Sequence, residues 1–129
     1  MRFIDEKCNP NELSPLTLAF VGDAVFEIFV RERLVCIANR PVNELHREAI
    51  KHVKASAQKD AAEKLLPLLT EKETAVFKRG RNAKSNTTPK NAKEGDYHYA
   101  TGLEALFGYL YLSDETDRMK ELFNIIWEI

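Results

Sequence analysis

Two long apolar stretches, residues 16–30 and 97–112, constrain this chain more than any other feature. Both are too long for an ordinary strand. The first is broken by Asp23, directly after Gly22; the second has Glu104 as its one carboxylate, set between Gly102 and Gly108. A glycine inside a helix costs about 0.5–1 kcal/mol relative to alanine, so its presence implies that something approaches closely there. An ionised carboxylate in an apolar helix is costly to bury alone, and proteins resolve that cost by pairing it or by binding a cation. Two such acids on two apolar helices point to a metal site.

The rest of the chain also reads as helix. Ser14 is an N-cap and Pro15 a first helical residue, so the first apolar run is expected to continue to about Cys36. Pro41 and Asn43 open a second helix over roughly 44–66, in which Leu45, Ala49, Ile50, Val53, Ala57, Ala61 and Leu65 recur at helical spacing before Pro67. Thr70 and Glu73 form a capping box for a short helix ending near Arg79. Residues 80–95 carry almost nothing apolar and read as a loop. A buried helix from about Tyr97 to Leu112 follows, and the run from Asp114 to Asp117 opens a last amphipathic helix through Trp127. No strand pattern or repeat occurs. The predicted class is all-α.

At 129 residues and 44% hydrophobic, the chain fits a single domain spanning 1–129. Cys8 and Cys36 belong to no metal-ligand pattern and no disulfide framework, which makes a reducing cytoplasm the expected compartment. No apolar run reaches the ~18 residues of a membrane span, and the first residues lack the form of a signal peptide. Neither a membrane partner nor a small-molecule cofactor is expected. Charge is distributed unevenly. Lys78, Arg79, Arg81, Lys84, Lys90 and Lys93 fall in one stretch without an acid, leaving 13 basic residues against 20 acidic ones elsewhere. That local positive pole could recruit a polyanion.

Each acid has an ordinary explanation as well. Ala19, Asp23, Glu27 and Arg31 share a stripe at i, i+4 spacing, so Glu27 and Arg31 can be a plain surface pair. Glu104, on a face with Thr101 and Gly108, can cap or pair with a lysine. Chemistry accounts for the two acids together. Mg²⁺ is commonly held by one or two carboxylates plus waters and phosphate oxygens, and can activate water for phosphodiester hydrolysis. Sharing one ion requires the two carboxyl groups to lie within about 5 Å of each other.

The stretch Leu18-Ala19-Phe20-Val21-Gly22-Asp23-Ala24 resembles the Leu-Glu-Phe-Leu-Gly-Asp-Ala core of the ribonuclease III catalytic domain. Leu103-Glu104-Ala105-Leu106-Phe107-Gly108 resembles that family's later Leu-Glu-Ala-Leu-hydrophobic-Gly motif. The loop from Arg79 to Asn91 is similar to that of the Mini-ribonuclease III subfamily, which lacks a double-stranded-RNA-binding domain. The resemblance implies a helical two-fold homodimer that cuts double-stranded RNA with Mg²⁺ and trims precursors of large-subunit (23S) ribosomal RNA. Asp23 and Glu104 would be its catalytic, metal-binding acids. Ala19 and Thr101 stand where full-length enzymes carry further acids, and no carboxylate occurs at residues 54–56.

With affinity supplied by the catalytic domain alone, phosphate contacts dominate and make binding salt-sensitive. Arg79, Arg81, Lys84, Lys90 and Lys93 are the candidates for that grip, with Asn82 and Ser85 in the same loop; His46, Arg47 and Lys51 are weaker ones. Phe20, Phe26, Phe29 and Phe107 exceed the needs of one small core, so one or more could face a second copy. Two other readings compete: a catalytically silent ribonuclease III-like RNA-binding protein, and an all-α interaction module.

Overall fold

The computed structural model describes residues 2–83 and 93–127. Among these there are six helices and no strand: α1 (Pro15–Ile37), α2 (Val42–Val53), α3 (Ala55–Leu65), α4 (Glu71–Asn82), α5 (Glu94–Leu112) and α6 (Thr116–Trp127). Single 3-10 turns lie at Pro10–Glu12 and Leu66–Leu68. No helix of the described residues is long and apolar enough to cross a membrane.

Local chemistry starts the helices where the sequence places them. Ser14 Oγ accepts the Thr17 N–H at 3.2 Å, and Pro15 follows as the first residue of α1. At α4 the capping box closes in both directions: Thr70 Oγ1 accepts the Glu73 N–H at 3.1 Å, and Glu73 Oε1 accepts the Thr70 N–H at 2.9 Å. Glu73 serves a second purpose. Its two carboxylate oxygens receive Nε and Nη2 of Arg118, both at 2.8 Å, which ties α6 to the start of α4.

The central element is α5, which packs along α1 on one side and receives α4 and α3 on others. Its Leu103, Ala105, Leu106 and Phe107 are all but inaccessible. Phe26 and Phe29 of α1 meet Phe107 and Phe123 edge to face, with centroids 5.2–6.0 Å apart. These three of the four singled-out phenylalanines are therefore intramolecular. Phe20 is not: it is 81% exposed.

Three elements depart from the sequence reading. The expected helix over 44–66 is two helices, because Lys54 leaves the helical region with ψ 155°. Two ladder bonds persist at the break: the Lys54 N–H donates to Ile50 O and the Lys54 carbonyl accepts from the Gln58 N–H, both at 3.0 Å. Nothing in the local sequence demands it. It lets α2 follow α1 while α3 turns onto α5. The expected loop over 80–95 is shorter at both ends: α4 runs to Asn82 and α5 begins at Glu94. Gly80 is a packing residue there, since a Cβ on it would lie 2.7 Å from Ala105 Cβ. Finally, Asp114 terminates α5 rather than opening α6. It adopts φ 58°, a left-handed conformation that Asp tolerates, and the Glu115 N–H returns to Leu110 O at 2.8 Å.

Candidate active site: two carboxylates on a glycine seam

Gly22 and Gly108 lock α1 against α5 with their backbones in contact. A Cβ on Gly22 would lie 1.6 Å from Glu104 O, and one on Gly108 would lie 1.9 Å from Leu18 O. Neither clash can be relieved by a rotamer change, because the opposing atoms are main chain. Asp23 follows Gly22 and Glu104 sits one turn before Gly108, so the seam sets the two acids side by side.

The pair is asymmetric. Asp23 is exposed, contrary to its setting in an apolar run, and Glu104 is half-buried. Burial, then the negative charge of Asp23 and a hydrogen bond with its carboxyl, pushes Glu104 up to about 8. Against these, the Gln58 side chain on α3 donates a hydrogen bond that favours ionised Glu104. The two carboxyl groups are thus neighbours, and Glu104 keeps its proton below that pH. Gln58 escaped the sequence reading. Its one signal is a polar side chain on the stripe it shares with Ala61, Ala62 and Leu65, all buried.

The two positions that would carry further acids are closed. Ala19 packs in the core with Leu18, Val76 and Ala105. Thr101 is buried, and its hydroxyl donates back to Tyr97 O at 2.9 Å. Among the described residues no group of three or more His, Cys, Asp or Glu could hold a metal. Two carboxylates remain. They fit Mg²⁺, which keeps several waters and takes phosphate oxygens, and a cation between them would relieve the repulsion that raises Glu104.

The residues expected to bind RNA divide. Arg79, Asn82 and Lys93 are exposed, on α4 and at the N-cap of α5. Arg81 is half-buried, with Nε donating to Asn82 at 3.2 Å and its guanidinium 6.0 Å from the Tyr99 ring. Lys59 of α3, unnoticed in the sequence, approaches the same ring at 5.6 Å and pairs with Asp96 at 3.6 Å. Lys84, Ser85 and Lys90 lie outside the described residues. On α2, His46 and Arg47 are exposed and Lys51 pairs with Glu48 at 2.9 Å. Glu27 and Arg31 form the plain surface pair, at 3.0 Å. A groove of about 470 Å³ between α1 and α6, lined by Val25, Phe29 and Met119, does not include the acids. The acid pair opens instead on the surface, which suits a polymer more than a small enclosed ligand.

Comparison with known proteins agrees with this geometry. Residues 16–115 match the ribonuclease III domain. The chain is 50% identical over 113 residues to Mini-ribonuclease 3 of Thermoanaerobacter sp. (strain X514), covering 88% of this chain and 80% of that protein. It is also 50% identical over 114 residues to Mini-ribonuclease 3 of Symbiobacterium thermophilum, covering 88% of each. The crystal structure of a protein from Fusobacterium nucleatum superposes with a TM-score of 0.86 at 28% identity, covering 93% of this chain and 98% of that one. With its two motifs on the facing helices of the glycine seam, the chain belongs to the ribonuclease III family and is an endoribonuclease.

Proposed function

We propose that this endoribonuclease cleaves double-stranded RNA with Mg²⁺ held by Asp23 and Glu104, and that its substrate in the cytoplasm is precursor large-subunit (23S) ribosomal RNA. The observation that carries the reading is the pair of facing carboxyl groups fixed by the backbone contact of Gly22 and Gly108. Bound there, Mg²⁺ supplies an activated water and charge stabilisation at the leaving oxygen. The chain's own residues do the rest. Asp23 presents an exposed carboxylate to solvent and substrate, while Glu104 is half-buried on α5. Arg79, Arg81 and Lys93 grip phosphates of the duplex, joined by Lys59 of α3, which approaches the same Tyr99 ring as Arg81. The ribosomal precursor as substrate is what the resemblance of the motifs to the Mini-ribonuclease III subfamily implies.

One chain supplies one pair of acids, so cutting both strands calls for two copies. Phe20, one turn before Asp23 and 81% exposed, supports a two-fold homodimer built on this face of α1. The test is incubation of a labelled precursor duplex with and without Mg²⁺, alongside a mass measurement by light scattering. Cleavage of both strands only with Mg²⁺, by a dimer, is the expected result. Binding without cleavage would favour a silent RNA-binding protein, and no binding at all an interaction module.

A further inference from the structure

Two cations from different helices converge on one aromatic ring. The guanidinium of Arg81, on α4, lies 6.0 Å from the centroid of Tyr99, and the ammonium of Lys59, on α3, lies 5.6 Å from it. At such distances a ring attracts a cation. The ring itself is held from the inside by Phe77, which is 1% exposed and meets it edge to face at 5.7 Å. Phe77 and Arg81 are four residues apart on α4, so the turn that anchors the ring also carries the guanidinium to it. Asp96 and Tyr99, three residues apart, are likewise neighbours on α5, and Asp96 pairs with Lys59 at 3.6 Å. The lysine side chain is 35% exposed and that of Asp96 17%, so the pair is open to water on the lysine side, where such contacts are worth little. Like charges gathered at one ring repel each other. The closely spaced phosphates of a duplex relieve that repulsion, and each phosphate neutralised releases counterions.

We propose that Tyr99 is the positioning residue of a phosphate subsite for duplex RNA, its ring gathering Lys59 and Arg81, and that an RNA phosphate displaces Asp96 from Lys59 on binding. The inference rests on the reading of the substrate as duplex RNA given above. Asp96 can release the lysine at little cost, because it is the third residue of α5 and the N-terminal end of a helix stabilises a carboxylate. Beside a bound phosphate its charge is repulsive. Asp96 therefore weakens binding while Lys59 and Tyr99 strengthen it, opposite signs that a purely structural cluster would not give.

The test is binding of a fluorescently labelled RNA duplex by anisotropy, in EDTA and over a range of salt concentrations. Lys59→Gln should bind about fivefold more weakly at physiological salt and lower the salt slope by about one unit, and Lys59→Arg should restore both. Tyr99→Leu keeps apolar bulk against Phe77 without a ring face, and should weaken binding about two- to fivefold. Tyr99→Phe keeps the ring and should restore wild-type affinity. Asp96→Asn should bind about two- to fivefold more tightly than wild type. Folded Lys59→Gln and Tyr99→Leu proteins with wild-type affinity and salt slope would make the cluster structural, and an Asp96→Asn protein that binds no tighter would remove the exchange; either result overturns the proposal. If the wild-type protein binds no duplex, the reading of the substrate fails and the proposal falls with it. Should Tyr99→Leu not fold, Lys59→Gln and Asp96→Asn, both outside the core, decide alone.

Discussion

Gly22→Ala adds one carbon where α1 and α5 leave no room. Its Cβ would lie 1.6 Å from Glu104 O, 2.6 Å from Glu104 C and 2.8 Å from Gly108 N, where ordinary contact begins at 3.4 Å. All three opposing atoms are backbone, so the helices themselves must part locally, by something over 1 Å on the order of magnitude of those overlaps. Alanine gains about 1 kcal/mol of helix propensity over glycine. Overpacking a tight core contact costs about 3 kcal/mol when nothing can yield, so a net loss of about 2 kcal/mol is expected. For a chain of 129 residues that is a fall in Tm of roughly 6–10 °C. The site suffers as well, because a misplacement of about 1 Å between reacting groups can cost on the order of 100-fold in rate. Circular dichroism melting and single-turnover cleavage measure the two effects. Gly95→Ala is the control: a Cβ there meets nothing within 4 Å, and the variant should melt at or above wild type. If Gly22→Ala melts and cleaves like Gly95→Ala, the backbone contact is not what sets the acids together.

Three further outcomes follow from the same structure. In metal-free protein Glu104 titrates near 8, above the 4.5 of an unperturbed Glu. The folded state therefore keeps a proton that the unfolded chain releases, and stability should fall as pH rises from about 4.5 through 8. Glu104→Gln should flatten that slope in melts with EDTA between pH 5 and 9; an unchanged slope refutes the assignment. Arg81→Ala should weaken duplex binding equally across sequences and lower the salt slope by about one unit, with an unchanged slope showing that Arg81 touches no phosphate. Phe20→Glu should turn the dimer into a folded monomer by light scattering, whereas a persistent dimer would place the interface elsewhere.

What the sequence made legible were features with local causes. Ser14-Pro15 and the Thr70–Glu73 box start α1 and α4 by hydrogen bonds closed within three residues. The break at Lys54 has no such cause: no Pro or Gly marks it, and it follows from α2 and α3 packing on different partners. Gly80 reads as a turn residue because glycine is ambiguous between a bend and a close contact, and only α5 decides. Asp23 is exposed for a related reason. Phe20, Ala24 and Ile28 are apolar yet exposed, so α1 looks buried all round and the open face that carries the acid is hidden. The motifs around Asp23 and Glu104 marked the site because its acids flank the packing glycines. Gln58 bears on Glu104 and Lys59 on Tyr99 from a third helix, with no spacing to either motif that could identify them.

The central claim is that Asp23 and Glu104 act together on one cation. Asp23→Asn and Glu104→Gln keep shape and hydrogen-bonding capacity while removing the charge. In single-turnover cleavage of a labelled RNA duplex in Mg²⁺, with circular dichroism to establish folding, each should lose on the order of several kcal/mol of transition-state stabilisation. Because both serve one site, the double variant should be little worse than either single one. A folded Asp23→Asn protein that cuts within about tenfold of wild type, a difference of about 1.4 kcal/mol, would contradict the account and leave the acid a structural residue.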